Sequence, residues 1–489
     1  MKGEMKMQAD SERPIYWLRK ISEIPRPSYH EKAISDFIVK FAEEHGLKAE
    51  QDEVWNVIVE KPASAGYEQA PALILQGHMD MVPQKRPGSD HDFRKDPIRL
   101  KEENGLLKAE DTTLGADDGL GVAWMLAVLE DDTLIHPRLE CLFTVQEEVG
   151  LGGAMHLKPE AIRADRLLSL DCCSKGITDL CCAGGQYAYM DAKLNWIANE
   201  SAVYEMQIGG LKGGHSGADI HRERGNAVCI AARIAEEMIR NGIEVRAISL
   251  NCDEKANAIP RTCSFRFASS SKEPEIRASI QTSAEKISEE LHSSDPGFSC
   301  IVSASKPEEK AADEVSTKNL LDFIWLAPQG FQHRSMDPKL NGLTVTSLNA
   351  GTAETFEDRI TVTWLIRSMF DSASADLLGI LKTLASRCKV GFRYTEFFPG
   401  WQYAEHSELR EIYAEVMKKQ GRELKAEAEH GGLEVGIFAA LHPGLDICTL
   451  GADCRYYHTY DEELDLASFR RGYQTLRGII AECVEKGIQ

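Results

Sequence analysis

Residues 73–82 read LILQGHMDMV. Leu73, Ile74 and Leu75 form an apolar run of the kind that begins a buried strand. The run meets Gly77 and then delivers His78 and Asp80. Side chains two apart share one face of a strand, so an imidazole and a carboxylate are aimed at the same place. In open α/β sheets, ligands bind outside the carboxyl ends of the strands. A core strand that ends in His and Asp therefore predicts chemistry at that edge.

Four other segments end in the same kind of group. TLGADDGLG (113–121) carries Asp117 and Asp118 in a glycine-flanked turn before a helix. FTVQEEVG (143–150) brings Glu147 and Glu148 out of a strand, and LLSLD (167–171) brings out Asp171. YYHTYDEE (456–463) places His458 just beyond the apolar run LDICTL (445–450). Each has an ordinary reading taken singly: a surface turn, a solvated acidic pair, a cap. Together they would gather negative charge in one cleft, which is costly to bury without cations. Imidazole with carboxylate is a zinc-type ligand set, and one carboxylate can bridge two ions about 4 Å apart. Periodicity alone does not show that the five segments converge.

The chain has 489 residues, long enough for two or three domains, and is 43% hydrophobic and 27% charged. Its formal net charge of −21 disfavours nucleic acid and anionic membrane as partners. No apolar stretch is long enough for a membrane span. The polar opening MKGEMKMQADSERP has no signal-like apolar core, which predicts a cytoplasmic protein. Thirteen cysteines without any CxxC spacing read as reduced, structural thiols.

The apolar patterning predicts an α/β domain interrupted by a second one. Ser28 to Glu31 reads as a capping box before a helix through Ile34, Phe37, Ile38 and Phe41. Strands are expected at 49–60, 71–76, 139–145 and 167–170, with a buried helix at 119–130. The texture changes after Gly184 and Gly185. Residues 186–398 carry their own cycle: strands near 203–208, 244–251, 262–268, 359–367 and 389–395, and helices near 225–241, 274–292 and 373–387. The run KPEEKAADEVSTK (306–318) is a polar stretch within this cycle. Phe398-Pro399-Gly400 marks a return, followed by the strand at 445–450 and a last helix from about 464. The expected organisation is thus a layered α/β domain in two parts, 1–185 and 399–489, with an inserted α+β domain, 186–398.

The motifs GHMD, TLGADDGLG, TVQEEVG, LLSLD and YYHT resemble the cocatalytic zinc peptidase family that includes peptidase T, carnosinase and aminoacylase. IPRPSYHE (24–31), GLKGGHSGADIHRERGNA (210–227), TSLNAGTAET (346–355), LIRSMFDS (365–372) and HGGLEVGIF (430–438) are similar to its aminoacyl-histidine dipeptidase subgroup. The resemblance runs through nearly the whole chain in the same order, and it implies that the layered α/β part is a dinuclear-metal catalytic domain and the inserted α+β part its lid domain. It implies that His78, Asp117 and Asp171 hold one metal and that Asp117, Glu148 and His458 hold the other, with Asp117 bridging. It implies two divalent ions, zinc first, with manganese or cobalt also accepted by such ligands. Asp80 would orient the His78 ring, and Glu147 would be the general base for a metal-activated water. A cis peptide is implied after Asp117, although relatives often carry Asn where this chain has Asp118. His215 would stabilise the oxyanion, often from a partner subunit. Arg367 would take the substrate's terminal carboxylate, with Asn257 lining the same site, and Glu434 would meet its free amine.

The function so implied is hydrolysis of unblocked dipeptides, including Xaa-His, by a homodimer. Two alternatives remain at this point. A related zinc amidohydrolase would deacylate N-acyl amino acids and needs no group for a free amine. A non-catalytic metal-binding scaffold would have lost Glu147 or a ligand, and none is lost. His45, His136, His156, His292, His333 and His442 sit in no such motif and read as surface or structural residues. The acidic run at 461–465 reads as a cap for the last helix.

Overall fold

A computed structural model describes residues 2–174, 176–340, 342–428 and 430–486. The chain falls into two compact units. The first comprises Met1–Leu180, Tyr403–Ala428 and Leu433–Gln489; the second comprises Cys181–Gln402 and Glu429–Gly432.

The first unit is built on a six-stranded sheet. Its strand order is Lys48–Gln51, Val57–Lys61, Leu139–Thr144, Leu73–His78, Arg166–Ser169 and Asp446–Thr449. The last four run parallel, so their carboxyl ends share one edge. All residues of Leu73–His78 and Leu139–Thr144 are buried, as expected of parallel strands covered on both faces. Helices Lys2–Ser22, Lys32–Glu44, Ala116–Glu130, Glu408–Lys419 and Leu466–Lys486 belong to this unit. Residues Gly119–Leu129 are buried throughout, and Trp124 stacks on Phe469 at 5.4 Å. Buried Lys61 ends this helix, its Nζ donating to the carbonyls of Val128, Leu129 and Asp131.

The second unit is α+β. A five-stranded antiparallel sheet is ordered Gly330–Arg334, Thr344–Thr355, Arg359–Ser368, Gly184–Lys193 and Gly391–Tyr394. A four-stranded antiparallel sheet is ordered Arg246–Asn251, Cys263–Ser269, Ala202–Gly209 and Ser299–Ala304. Helices Ala227–Arg240, Glu273–Glu290, Glu314–Leu326 and Asp371–Arg387 accompany them.

Two local readings change and a third gains detail. The strand expected over 49–60 is a hairpin, because Asp52 accepts hydrogen bonds from the amides of Val54 and Asn56 and turns the chain. The polar stretch 306–318 contains the strand Lys310–Ala312 and the start of a helix. Asp313 caps helix Glu314–Leu326 by accepting from the Ser316 amide at 2.7 Å, and Glu314 lies in the helix's first turn. The capping box at Ser28 does not form. Glu31 is the N-cap residue of Lys32–Glu44 without a side-chain cap bond, and Ser28 Oγ donates to Asp80 at 2.8 Å.

Candidate metal centre

The first unit brings the five segments together. His78 ends its strand opposite Thr144 in the parallel register, and Gln76 pairs with Ser169. The chain beyond Thr144 turns into the single turn Glu147–Val149, and the chain beyond Ser169 reaches Asp171 after one residue. Gly77 is required here: a Cβ at that position would collide with the carboxylate of Asp118. The Asp117–Asp118 peptide is cis, and both residues have non-helical dihedrals at the start of Ala116–Glu130.

Asp117 lies between two histidines. Its Oδ1 is 3.3 Å from His78 Nε2, and its Oδ2 is 3.2 Å from His458 Nε2. His458 Nε2 is also 2.9 Å from Glu148 Oε2. Potential ligand atoms of His78, Asp117 and Asp171 lie within 4.8 Å of one another, as do those of Asp117, Glu148 and His458. A third such group, His78, Glu147 and Glu148, overlaps both.

Asp80 does more than face the His78 ring, whose Nδ1 is 3.4 Å from its Oδ1. Its carboxylate also accepts from the amides of Glu147 at 3.0 Å and Glu148 at 3.3 Å, and from Ser28 Oγ. One buried carboxylate thereby orients an imidazole and the turn that carries two glutamates.

Two residues escaped the sequence reading. Arg26, 2% exposed, donates to the carbonyls of Met79, Asp80 and Gly115, tying the His78 loop to the Asp117 loop. Its motif IPRPSYHE was visible, but no spacing marks which residue reaches inward. Glu462, also 2% exposed, accepts from the backbone amides of Leu114, Gly115, Ala116 and Asp117. From its sequence the acidic run 461–465 reads as a cap for the last helix. Only Asp465 serves there, accepting from the Ser468 amide at 2.6 Å. Glu462→Ala is expected to cost about 3 kcal/mol, since it leaves several buried donors unpaired. The measurement is the urea midpoint. An unchanged midpoint would mean that other groups satisfy those amides.

The charges fit a cation site. Burial first, then the neighbouring carboxylates, pushes Glu147 and Asp171 well above the usual range. Burial raises Glu148 as well. Asp117 goes the other way: burial opposes its charge, but His458 and His78 outweigh that and hold it low. For His458, burial opposes protonation while Asp117 and Glu148 raise the ring to about 10. Glu148 Oε1 is buried with no hydrogen-bond partner. So many carboxylates crowded with two imidazoles, one oxygen left unpaired, suit divalent ions with oxygen and nitrogen ligands.

Glu434 lies in the same unit, 2% exposed. Its Oε2 accepts from Gln76 Nε2 and Thr144 Oγ1, both at 2.7 Å, while Oε1 has no partner. Burial raises it to about 7.

His215, Asn257 and Arg367 belong to the second unit. The two-residue strands Gly214–His215 and Ala258–Ile259 pair, and Ser216 N donates to the Asn257 carbonyl at 2.9 Å. The Asn257 side chain is in an exposed residue. Arg367 is 5% exposed on Arg359–Ser368, with Nη2 3.3 Å from His215 Nε2.

Among known proteins, the family model described as Peptidase family M20/M25/M40 matches residues 74–482. The chain is 32% identical over 482 residues to the cytosol non-specific dipeptidase of Escherichia coli (strain K12), covering 96% of each sequence. Its structure resembles that of the aminoacylhistidine dipeptidase from Vibrio alginolyticus, with TM-score 0.83, 30% identity and 96% of each chain covered. It also shares its fold with the aminopeptidase PepT from Bacillus cereus ATCC 10987, with TM-score 0.55, 16% identity, 97% of this chain and 98% of that one.

Proposed function

Since the chain belongs to peptidase family M20/M25/M40, we propose that it is a metal-dependent dipeptidase acting on unblocked dipeptides, Xaa-His among them. The observation that carries this reading is the carboxylate of Asp117, whose two oxygens face His78 and His458 separately. His78, Asp117 and Asp171 would hold one divalent ion, and Asp117, Glu148 and His458 the other. Zinc is the proposed metal, with manganese or cobalt as substitutes. When bound, the two ions supply an acidified water and a Lewis acid for the peptide carbonyl.

The residues divide the remaining work. Glu147 takes the proton of the attacking water and gives it to the leaving amine. Asp80 holds the Glu147 and Glu148 amides, so the base and the ligand keep fixed places. Glu434 receives the substrate's ammonium on its unpaired oxygen. Arg367 takes the terminal carboxylate, His215 donates to the oxyanion, and Asn257 lines the same subsite. The inserted unit acts as the lid and recognition domain, in a homodimer. The location proposed is cytoplasmic, which the name of the E. coli relative supports. No helix among the described residues is long and apolar enough to cross a membrane.

The competing deacylase reading needs no amine receptor, and Glu434 counts against it. Zinc-loaded protein is expected to cleave a free dipeptide at least 100-fold faster than its N-acetylated twin, and chelation is expected to abolish the activity. Cleavage of the twin alone, at its acyl bond, would move the assignment to deacylation.

A further inference from the structure

The second unit groups buried Arg367 and His430 with partly buried His215. Arg367 Nε donates to Ser216 Oγ at 3.4 Å, and Nη2 lies beside His215 Nε2. The amide of Ala218 donates to His215 Nδ1 at 3.1 Å. A neutral His215 ring therefore carries its hydrogen on Nε2. Nη2 and Nε2 are then two donors side by side, an arrangement that suits a shared anion.

His430 adjoins this pair. Thr344–Thr355 and Arg359–Ser368 pair so that Ser347 stands directly opposite Arg367. Ser347 Oγ meets His430 Nε2 at 2.8 Å. Gly217 closes the other side. A Cβ there would stand 2.5 Å from the His430 carbonyl oxygen and 3.2 Å from His215 Cε1. The His430 ring is 3% exposed, and its Nδ1 is buried with no hydrogen-bond partner. Burial first, then the charge of Arg367, holds the ring down to about 3, so it is neutral. If Ser347 Oγ is the donor to Nε2, the ring's hydrogen sits on Nδ1 as a third donor. A buried donor without a partner costs about 1–3 kcal/mol, which a ligand acceptor would relieve.

We propose that His430 is a specificity-determining residue for the substrate's terminal carboxylate, its Nδ1–H joining the Arg367 guanidinium and the His215 Nε2–H around one anionic group. Ser347 is its positioning residue, setting the tautomer. This rests on the dipeptidase reading above, in which Arg367 binds that carboxylate.

The test compares a free dipeptide with its C-terminally amidated twin, using full-length zinc-loaded protein. His430→Leu fills the space without a donor, and His430→Asn returns an amide N–H near the Nδ1 position. The leucine variant is expected to lower the free-over-amide ratio of kcat/KM about tenfold, chiefly through KM. The asparagine variant is expected to recover most of that ratio. Ser347→Ala, which leaves the ring in place, is expected to shift the ratio in the same direction by a smaller factor. It carries the test if the leucine variant does not fold. Equal losses on both substrates, or an unchanged ratio in the leucine and alanine variants, would overturn the proposal. A parent enzyme that cleaves the free dipeptide no better than the amide would overturn the Arg367 role and this inference together. A parent inactive on the free dipeptide would overturn the dipeptidase reading itself.

Discussion

Glu147→Gln is expected to lower kcat by about 10³-fold while the protein keeps the parent's metal content. General acid–base catalysis contributes about 10²–10⁴-fold, and in the proposed mechanism one group carries the proton in both directions. The amide is close in size and keeps the backbone bond from Glu147 N to Asp80, so the turn survives the change. Crowding from loss of solvent, Glu148 and Glu434 raises Glu147, which suits a group that must hold a proton before handing it on. The metal count discriminates between two roles, because Glu147 also belongs to a possible ligand group with His78 and Glu148. Glu148 is the better ligand on geometry, being 2.9 Å from His458 and having one unpaired oxygen. Loss of an ion from Glu147→Gln would make Glu147 a ligand. Near-normal kcat would remove it as the base.

Removing metal is expected to abolish activity and to leave a protein whose stability falls as pH rises. Burial raises Glu31 and Glu434 from the ordinary 4.5 to about 7 in the metal-free chain, and Glu462 likewise. A carboxyl raised on folding binds more protons folded than unfolded. Its stabilising contribution is full below about 4.5 and is lost as pH climbs through about 7. For Glu434, 2% exposed, the shift corresponds to about 3 kcal/mol. The metal-free melting temperature is therefore expected to drop by roughly 5 °C between pH 5.5 and pH 8. Metal-loaded protein should drop less, because bound cations favour the charged forms of the cluster. Calorimetry on both forms at the two pH values measures this. A metal-free protein that gains stability across that window would contradict the burial of these carboxyls.

The sequence by itself determined the elements that carry the chemistry. Apolar runs ending in His78, Glu147, Glu148 and Asp171 could be read as strands because a buried parallel strand is a continuous apolar run bounded by polar residues. The same logic marked the helix after Asp117 and the strand before His458. It failed where a side chain chooses a distant partner. Ser28 and Glu31 have the spacing of a capping box, yet Ser28 binds Asp80. Glu462 sits in a run that looks like a helix cap, yet it holds the amides of Leu114 to Asp117. His430 lies in a recognisable motif, but its place beside Arg367 follows from Ser347 standing opposite Arg367 in the ladder. Periodicity records which face of an element is apolar. It does not record which element that face meets. Only the tertiary structure decided that Asp117 stands between His78 and His458, because that approach depends on parallel register and loop closure across the whole chain.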